Sequence, residues 1–266
     1  APVESVSGTQ APRNIGWIIA TAVLLAALVP VSVIHFRETP PEARVLRTTI
    51  LPPENADFDS GNTIPVAVSP DGRRLAFVAR PPGGKTQLYI RSLDALAAQP
   101  LAGTEGATFP FWSPDNRFIG FFADSKLKKI EASGGPAFTL ANATLGRGGT
   151  WSPQGVIVFS AANVSPLQRV SASGGTASPV TTLDRETETA HRFPWFLPDG
   201  QHFLYTAGRV GQVQDVTILH IGSLLGKDRD PQEGKIVAEI SSAAIYAQGY
   251  LLFVRENTLM AQPFDA

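Results

Sequence analysis

The chain has 266 residues, with 22 basic and 23 acidic side chains, a net charge of −1 and no cysteine. So balanced a chain offers no basic face for nucleic acid, and without thiols it has neither a disulfide framework nor a thiolate metal site. Its 24 glycines and 22 prolines are scattered at turn-like positions, as in an all-β protein with many tight turns.

Residues 1–14 read as a linker. From Asn14 to Ile34 no residue is charged, and Trp17 and His35-Phe36-Arg37 stand at the two ends of the run like interfacial anchors. About 20 apolar residues cross the hydrocarbon of a bilayer, whereas a signal peptide has an apolar core of about 7–15 followed by a cleavage site. The flank HFRETPPEAR carries no such site, so the sequence predicts one transmembrane helix over residues 15–36, with a juxtamembrane linker over 37–48. The flanking charges, Arg13 against Arg37, Arg44 and Arg47, taken locally put the C-terminal side in the cytoplasm.

A four-residue turn then recurs: Ser69-Pro70-Asp71-Gly72, Ser113-Pro114-Asp115-Asn116, Ser152-Pro153-Gln154-Gly155 and Leu197-Pro198-Asp199-Gly200, with a degenerate fifth copy at Ala247-Gln248-Gly249. The first four prolines are 44, 39 and 45 residues apart, the period of propeller blades. Pro and Asp suit the central positions of a type I turn, and Gly supplies the positive φ that closes a hairpin. Each turn is followed by an apolar run such as Leu75-Ala76-Phe77-Val78 and preceded by aromatics, as in Phe111-Trp112, Thr150-Trp151 and Trp195-Phe196. The predicted fold class is therefore an all-β propeller over 49–266, about four full blades plus part of a fifth in an incomplete ring, preceded by the transmembrane helix. The chain starts at Ala1 and stops just after a strand-like run, which reads as an excerpt of a longer protein. The segment Arg44–Ile50 alternates like a strand and is expected to be the outer strand of the closing blade.

The runs VSPDGRRLAFVAR, FWSPDNRFIGFFADSKLKKIEASGG and WFLPDGQHFLYTAG resemble TolB-type, WD-like propeller repeats. The order of helix and repeats, over residues 15 to 266, is similar to the C-terminal region of bacterial membrane-bound serine/threonine kinases. That resemblance implies a single-pass protein of the bacterial inner membrane, with the propeller on the periplasmic or extracellular side, sensing a protein or small ligand in signal transduction. Two alternatives stand beside it: a propeller that gates substrates for a peptidase-like protein, and a TolB-like envelope scaffold. Kinase chemistry itself has no place in the chain, which lacks a Gly-rich phosphate loop, a His-Arg-Asp loop and an Asp-Phe-Gly triplet.

Other chemistry is equally thin. No G-x-S-x-G elbow occurs, and His35, His191, His202 and His220 show no metal-binding spacing. Asp57, Asp59 and Asn62 do not match a calcium loop. No catalytic residue, metal or cofactor is expected, and the partners expected are the membrane and an unknown protein or small anionic ligand, not nucleic acid. Six residues before the turn proline the units carry Ile64, Thr108, Arg147, Arg192 and, by the degenerate alignment, Ser241. The start of an innermost strand lines the mouth of a propeller channel, so Arg147 and Arg192, with His191 and Thr108, are the candidate ligand site. Two guanidinium groups there would take an anion through bidentate hydrogen bonds. The competing reading pairs each arginine with a local carboxylate such as Glu186 or Glu188, or leaves it facing water.

Overall fold

The recurring turn is closed by its own side chains. In Ser69-Pro70-Asp71-Gly72 the Ser69 Oγ donates to Asp71 Oδ1 (2.5 Å) and accepts the Arg74 amide (2.8 Å), while Asp71 Oδ1 accepts the Arg73 amide (3.1 Å). Ser113, Asp115, Arg117 and Phe118 repeat those three bonds at 2.5, 2.8 and 3.1 Å. Each turn folds an innermost strand back on the next strand and so starts a blade.

The computed structural model describes Trp17, residues 19–26, Leu28 and residues 49–58, 66–211, 217–226, 230 and 233–266. The chain divides into two units, residues 1–50 and 51–266. The second is an all-β propeller of five blades. Blade 1 comprises β1 (Asp57–Phe58), β2 (Val66–Val68), β3 (Arg74–Arg80), β4 (Gln87–Ser92) and β5 (Gln99–Pro100). β1 and β2 both pair with β3, the register stepping from Phe58–Ala79 to Val66–Phe77. Blade 2 is β6 (Thr108–Trp112), β7 (Phe118–Ala123), β8 (Lys126–Glu131) and β9 (Phe138–Asn142). Blade 3 is β10 (Gly149–Trp151), β11 (Val156–Ser160), β12 (Leu167–Ser171) and β13 (Ser178–Pro179). Blade 4 is β14 (Glu188–Phe196), β15 (His202–Arg209), β16 (Thr217–Ser223) and β17 (Ile236–Ile240). Blade 5 holds β18 (Ile245–Ala247), β19 (Tyr250–Arg255) and β20 (Thr258–Pro263). All pairings are antiparallel and, apart from β1 with β3, join chain neighbours, and Gln248 and Gly249, both at positive φ, make the two-residue turn of blade 5.

Alternation along the second strand of each blade cements the ring. Successive side chains point to opposite faces of a strand, and here both faces meet a neighbouring blade. Ala76 and Val78 join Ile119 and Phe121 between blades 1 and 2. Phe122 joins Ile157 and Phe159 between blades 2 and 3, Val158 joins Phe203 and Tyr205 between blades 3 and 4, and Leu204 joins Leu251 and Phe253 between blades 4 and 5. Phe77, Phe121, Phe159, Phe203 and Phe253 are all completely buried, each contributing about 1.5–3 kcal/mol.

The expected transmembrane helix is corrected. Trp17, residues 19–26 and Leu28 are helical, but among the described residues no helix is long and apolar enough to cross a membrane. With it fall the single-pass anchoring, the membrane as partner and the inner-membrane location that depended on that span. The remainder of 15–36, the linkers 1–14 and 37–48, and the Arg44–Thr48 part of the expected closing strand lie outside the described residues; Thr49 and Ile50 are not in a strand. In place of four blades and a fragment there are five, and all five reach the axis.

Candidate functional site

The inner segments of the five blades surround a cavity of about 690 Å³ on the axis, at the end where the Ser-Pro-Asp-Gly turns stand. Its character follows from the residues just ahead of each turn. Trp112, Trp151 and Trp195, three of the chain's four tryptophans, stand in the wall, with prolines from the turns between them. Two of the rings are fixed by the preceding blade. Trp112 Nε1 donates to Ala67 O (3.0 Å) with the Arg74 guanidinium 4.9 Å from its ring, and Trp151 stacks on Phe118 at 6.1 Å. Val68, Trp195 and Ile245 are exposed at the wall. Among the described residues none in the lining is charged, and Ser69 and Thr150 supply its side-chain hydroxyls. A charged group entering here would lose its hydration without a countercharge, whereas an apolar one would gain.

The deeper part of the cavity is shaped by a backbone irregularity that recurs. Five residues before the turn proline stand Phe109, Gly148 and Phe193, all at positive φ (48°, 93° and 51°). The ladder skips at the same places, between Thr108 and Phe111 in β6 and between Arg192 and Trp195 in β14. A left-handed conformation costs a phenylalanine about 1–3 kcal/mol. In return the bulge turns the rings of blades 2 and 4 toward one another across the axis, 6.1 Å apart. Between them a side chain at Gly148 would bring its Cβ 3.1 Å from Phe193 Cα, so glycine is needed there.

None of the four residues expected at the site lines this cavity. Thr108 is half-buried and donates from its hydroxyl to Phe122 O (3.4 Å). Arg147 holds its guanidinium 5.9 Å from the Phe109 ring, and Arg192 Nη2 donates to Asn163 O (3.2 Å). Burial lowers the Arg192 pKa, and the charge of Arg147 lowers it further. His191 is fully buried, bonded to Thr181 Oγ1 (2.8 Å) and Glu188 Oε2 (3.0 Å). Burial depresses its pKa although Glu188 opposes the shift. Among the described residues no group of three His, Cys, Asp or Glu side chains is placed to hold a metal ion. The aromatic wall was missed as a site, although Phe111-Trp112, Thr150-Trp151 and Trp195-Phe196 already stood aligned in the sequence.

No protein-family model matches the chain, and no curated protein matches it. Among solved structures it is similar to the protein assigned as TolB from Agrobacterium tumefaciens, at 16% identity and a TM-score of 0.54, over 66% of this chain and 65% of that one. It is similar also to the nidogen/laminin complex (9% identity, TM-score 0.56, 75% and 74% covered) and to the hydrazine synthase of Kuenenia stuttgartiensis (12%, 0.53, 80% and 58%). The chain thus spans less than two thirds of the TolB protein, 65% of its length. The serine/threonine-kinase and transmembrane assignments are both corrected: the likeness found is to TolB-like propellers, and among the described residues no helix is long and apolar enough to cross a membrane. What the matched structures do establish is fold: the chain is a five-bladed β-propeller resembling TolB-like folds.

Proposed function

We propose that this propeller is a binding module, an interaction scaffold of TolB-like form that holds an uncharged, apolar part of its partner in the axial cavity. One observation carries the reading: a cavity of about 690 Å³ whose wall is drawn from all five blades and, among the described residues, contains none that is charged. That volume lies within the range of about 300–1,000 Å³ that ligand pockets occupy. The test uses the protein's own tryptophans. Neutral N-phenylnaphthylamine should quench their fluorescence saturably and bind more tightly than its sulfonated, anionic analogue. Trp195→Ala removes a ring that is 39% exposed and bears little on the core, and should weaken binding about tenfold. Equal affinity for the neutral and anionic probes, or an unchanged affinity in Trp195→Ala, would overturn the reading.

The arginine pair supports a second, separate site for a small anion, because Arg192 lies in the field of Arg147 with its own Nε buried and without a hydrogen-bond partner. Sulfate should bind in calorimetry and be lost in the double variant Arg147→Ala, Arg192→Ala. Undiminished binding in that variant would remove the site.

A further inference from the structure

The three tryptophans in the wall of the axial cavity do not offer the same chemistry. Trp112 is buried and its Nε1–H is spent on Ala67 O (3.0 Å), a bond back to blade 1. The N–H groups of Trp151 and Trp195 have no hydrogen-bond partner among the described residues. Trp151 is half-buried on Phe118, and Trp195 is the most open of the three. An indole nitrogen donates and never accepts. Two of the rings thus combine an apolar face with a donor still to be used.

The remaining side chains of the wall are poor acceptors. Ser69 Oγ is engaged within its turn, donating to Asp71 and accepting the Arg74 amide. Thr150 Oγ1 accepts the Phe196 amide (3.0 Å), which leaves its hydrogen to give. Among the described residues the lining holds no carboxylate and no carboxamide side chain. A matching ligand therefore carries apolar surface and carbonyl oxygens, few N–H groups and no charge. An N–H buried there without an acceptor would cost about 1–3 kcal/mol. An acyl chain would fill the space but cover the two indole donors unpaired, which carries the same kind of cost. Among amino-acid residues only proline brings a carbonyl with no N–H, and its ring packs on an aromatic face.

We infer that the axial cavity, granted the binding role proposed for it, takes a proline-rich segment of its partner in the polyproline II conformation. Proline rings lie against Trp195 and Trp151, and carbonyl oxygens of the segment accept the two indole N–H groups. Polyproline II suits such a wall because it has no internal hydrogen bonds, so each of its carbonyls is available. It is also ordered before it binds, which spares most of the entropy that a flexible peptide loses on docking. The segment that enters is uncharged, as the uncharged lining requires.

Indole N–H signals in a proton–nitrogen NMR spectrum of the whole chain test it, with acetyl-hexaproline amide as the probe. The Trp151 and Trp195 signals, assigned from Trp151→Phe and Trp195→Phe, should move downfield saturably. That of Trp112, already bonded to Ala67 O, should move least. Acetyl-hexaalanine amide, which has an N–H on every residue, should bind about tenfold more weakly. Trp195→Phe keeps an aromatic ring and removes the donor. Hexaproline should lose about tenfold in affinity there, and N-phenylnaphthylamine, which has no carbonyl, should lose less. If N-phenylnaphthylamine binds and hexaproline does not, the cavity is a site for small apolar molecules and the proline assignment alone is overturned; if neither binds, the binding role falls with it. Equal affinity for the two peptides, equal losses of the two probes in Trp195→Phe, or a Trp112 signal that moves as far as that of Trp195 would also overturn the inference.

Discussion

Removing the serine hydroxyl from two of the turns should have unequal effects, in the opposite order to a count of hydrogen bonds. Ser113 Oγ makes two bonds, to the Phe118 amide (2.8 Å) and to Asp115 (2.5 Å); Ser152 Oγ makes one longer bond, to the Val156 amide (3.1 Å). Both serines are buried, 2% and 1% exposed. Blade 4 shows how such a loss is repaired: Leu197 has no hydroxyl, and Asp199 Oδ1 instead accepts the His202 amide at 2.9 Å as well as the Gln201 amide at 3.0 Å. Asp115 can make the same move for Phe118. It stays ionised to do so, because hydrogen bonds from Ser113 and the Arg117 amide outweigh a burial that would raise its pKa. Blade 3 has Gln154 at that position, turned instead against Gly200 of the next turn. Ser152→Ala therefore leaves its amide unsatisfied, at a cost of about 2 kcal/mol. Ser113→Ala should cost only about 0.5–1 kcal/mol, since one modest hydrogen bond is lost and the other replaced. Equilibrium urea unfolding of both variants measures this, and in an Asp115→Ala background the cost of Ser113→Ala should rise to that of Ser152→Ala. A Ser113→Ala variant as damaging as Ser152→Ala, or unaffected by Asp115→Ala, would refute the repair.

Gly120→Ala would bring a Cβ 2.2 Å from Phe111 Cζ, and overpacking of this kind should lower stability by about 1–3 kcal/mol in thermal unfolding; no change would mean that the ring can swing away freely. His202 sits between Asp199 and, at 2.7 Å, Asp230; partial burial disfavours its charge, but the two carboxylates outweigh this and its pKa is raised. With the folded value above the unfolded one, the stability it contributes is full below about pH 6.5 and is lost as pH rises through the raised value. The gap between wild type and His202→Gln should accordingly shrink with rising pH, and a gap that widens would contradict it. His191 has the opposite sign: its lowered pKa means that stability is lost as pH falls below about 6.5, a loss that His191→Gln should remove from the acid limb of a pH–stability curve.

What could be read in advance was what repeats. Ser69, Ser113 and Ser152 sit in turns whose side chains close locally, so a motif of four residues carries its own structure wherever it occurs. The apolar alternation of Phe77, Phe121 and Phe159 is likewise a local property, and it sorts each residue to one neighbouring blade. Of the candidate site, only what recurs was legible: the aromatics ahead of the turns stand in the cavity wall, whereas Arg147 and Arg192, although equivalent in the repeat, do not line it, and His191, beside Arg192, is buried against Thr181 and Glu188. No spacing rule shows that its ring ends on Tyr205, because that contact is made by strands 14 residues apart in sequence. The transmembrane expectation rested on hydropathy alone, which records how apolar a run is, whereas among the described residues no helix is long and apolar enough to cross a membrane.

The Phe109, Gly148 and Phe193 series sets a limit on how alike the repeats can remain. Turns at the rim are separated by the width of a blade and can be copied without interfering, but residues that reach the axis compete for one shared space. Two aromatic rings from blades 2 and 4 already meet there, and at Gly148 of blade 3 an added Cβ would stand 3.1 Å from Phe193 Cα, on a backbone at positive φ. A propeller made of identical units would collide with itself at its centre. Duplication can therefore build the rim, while substitution has to build the middle, and whatever selectivity this propeller has is written where its symmetry fails.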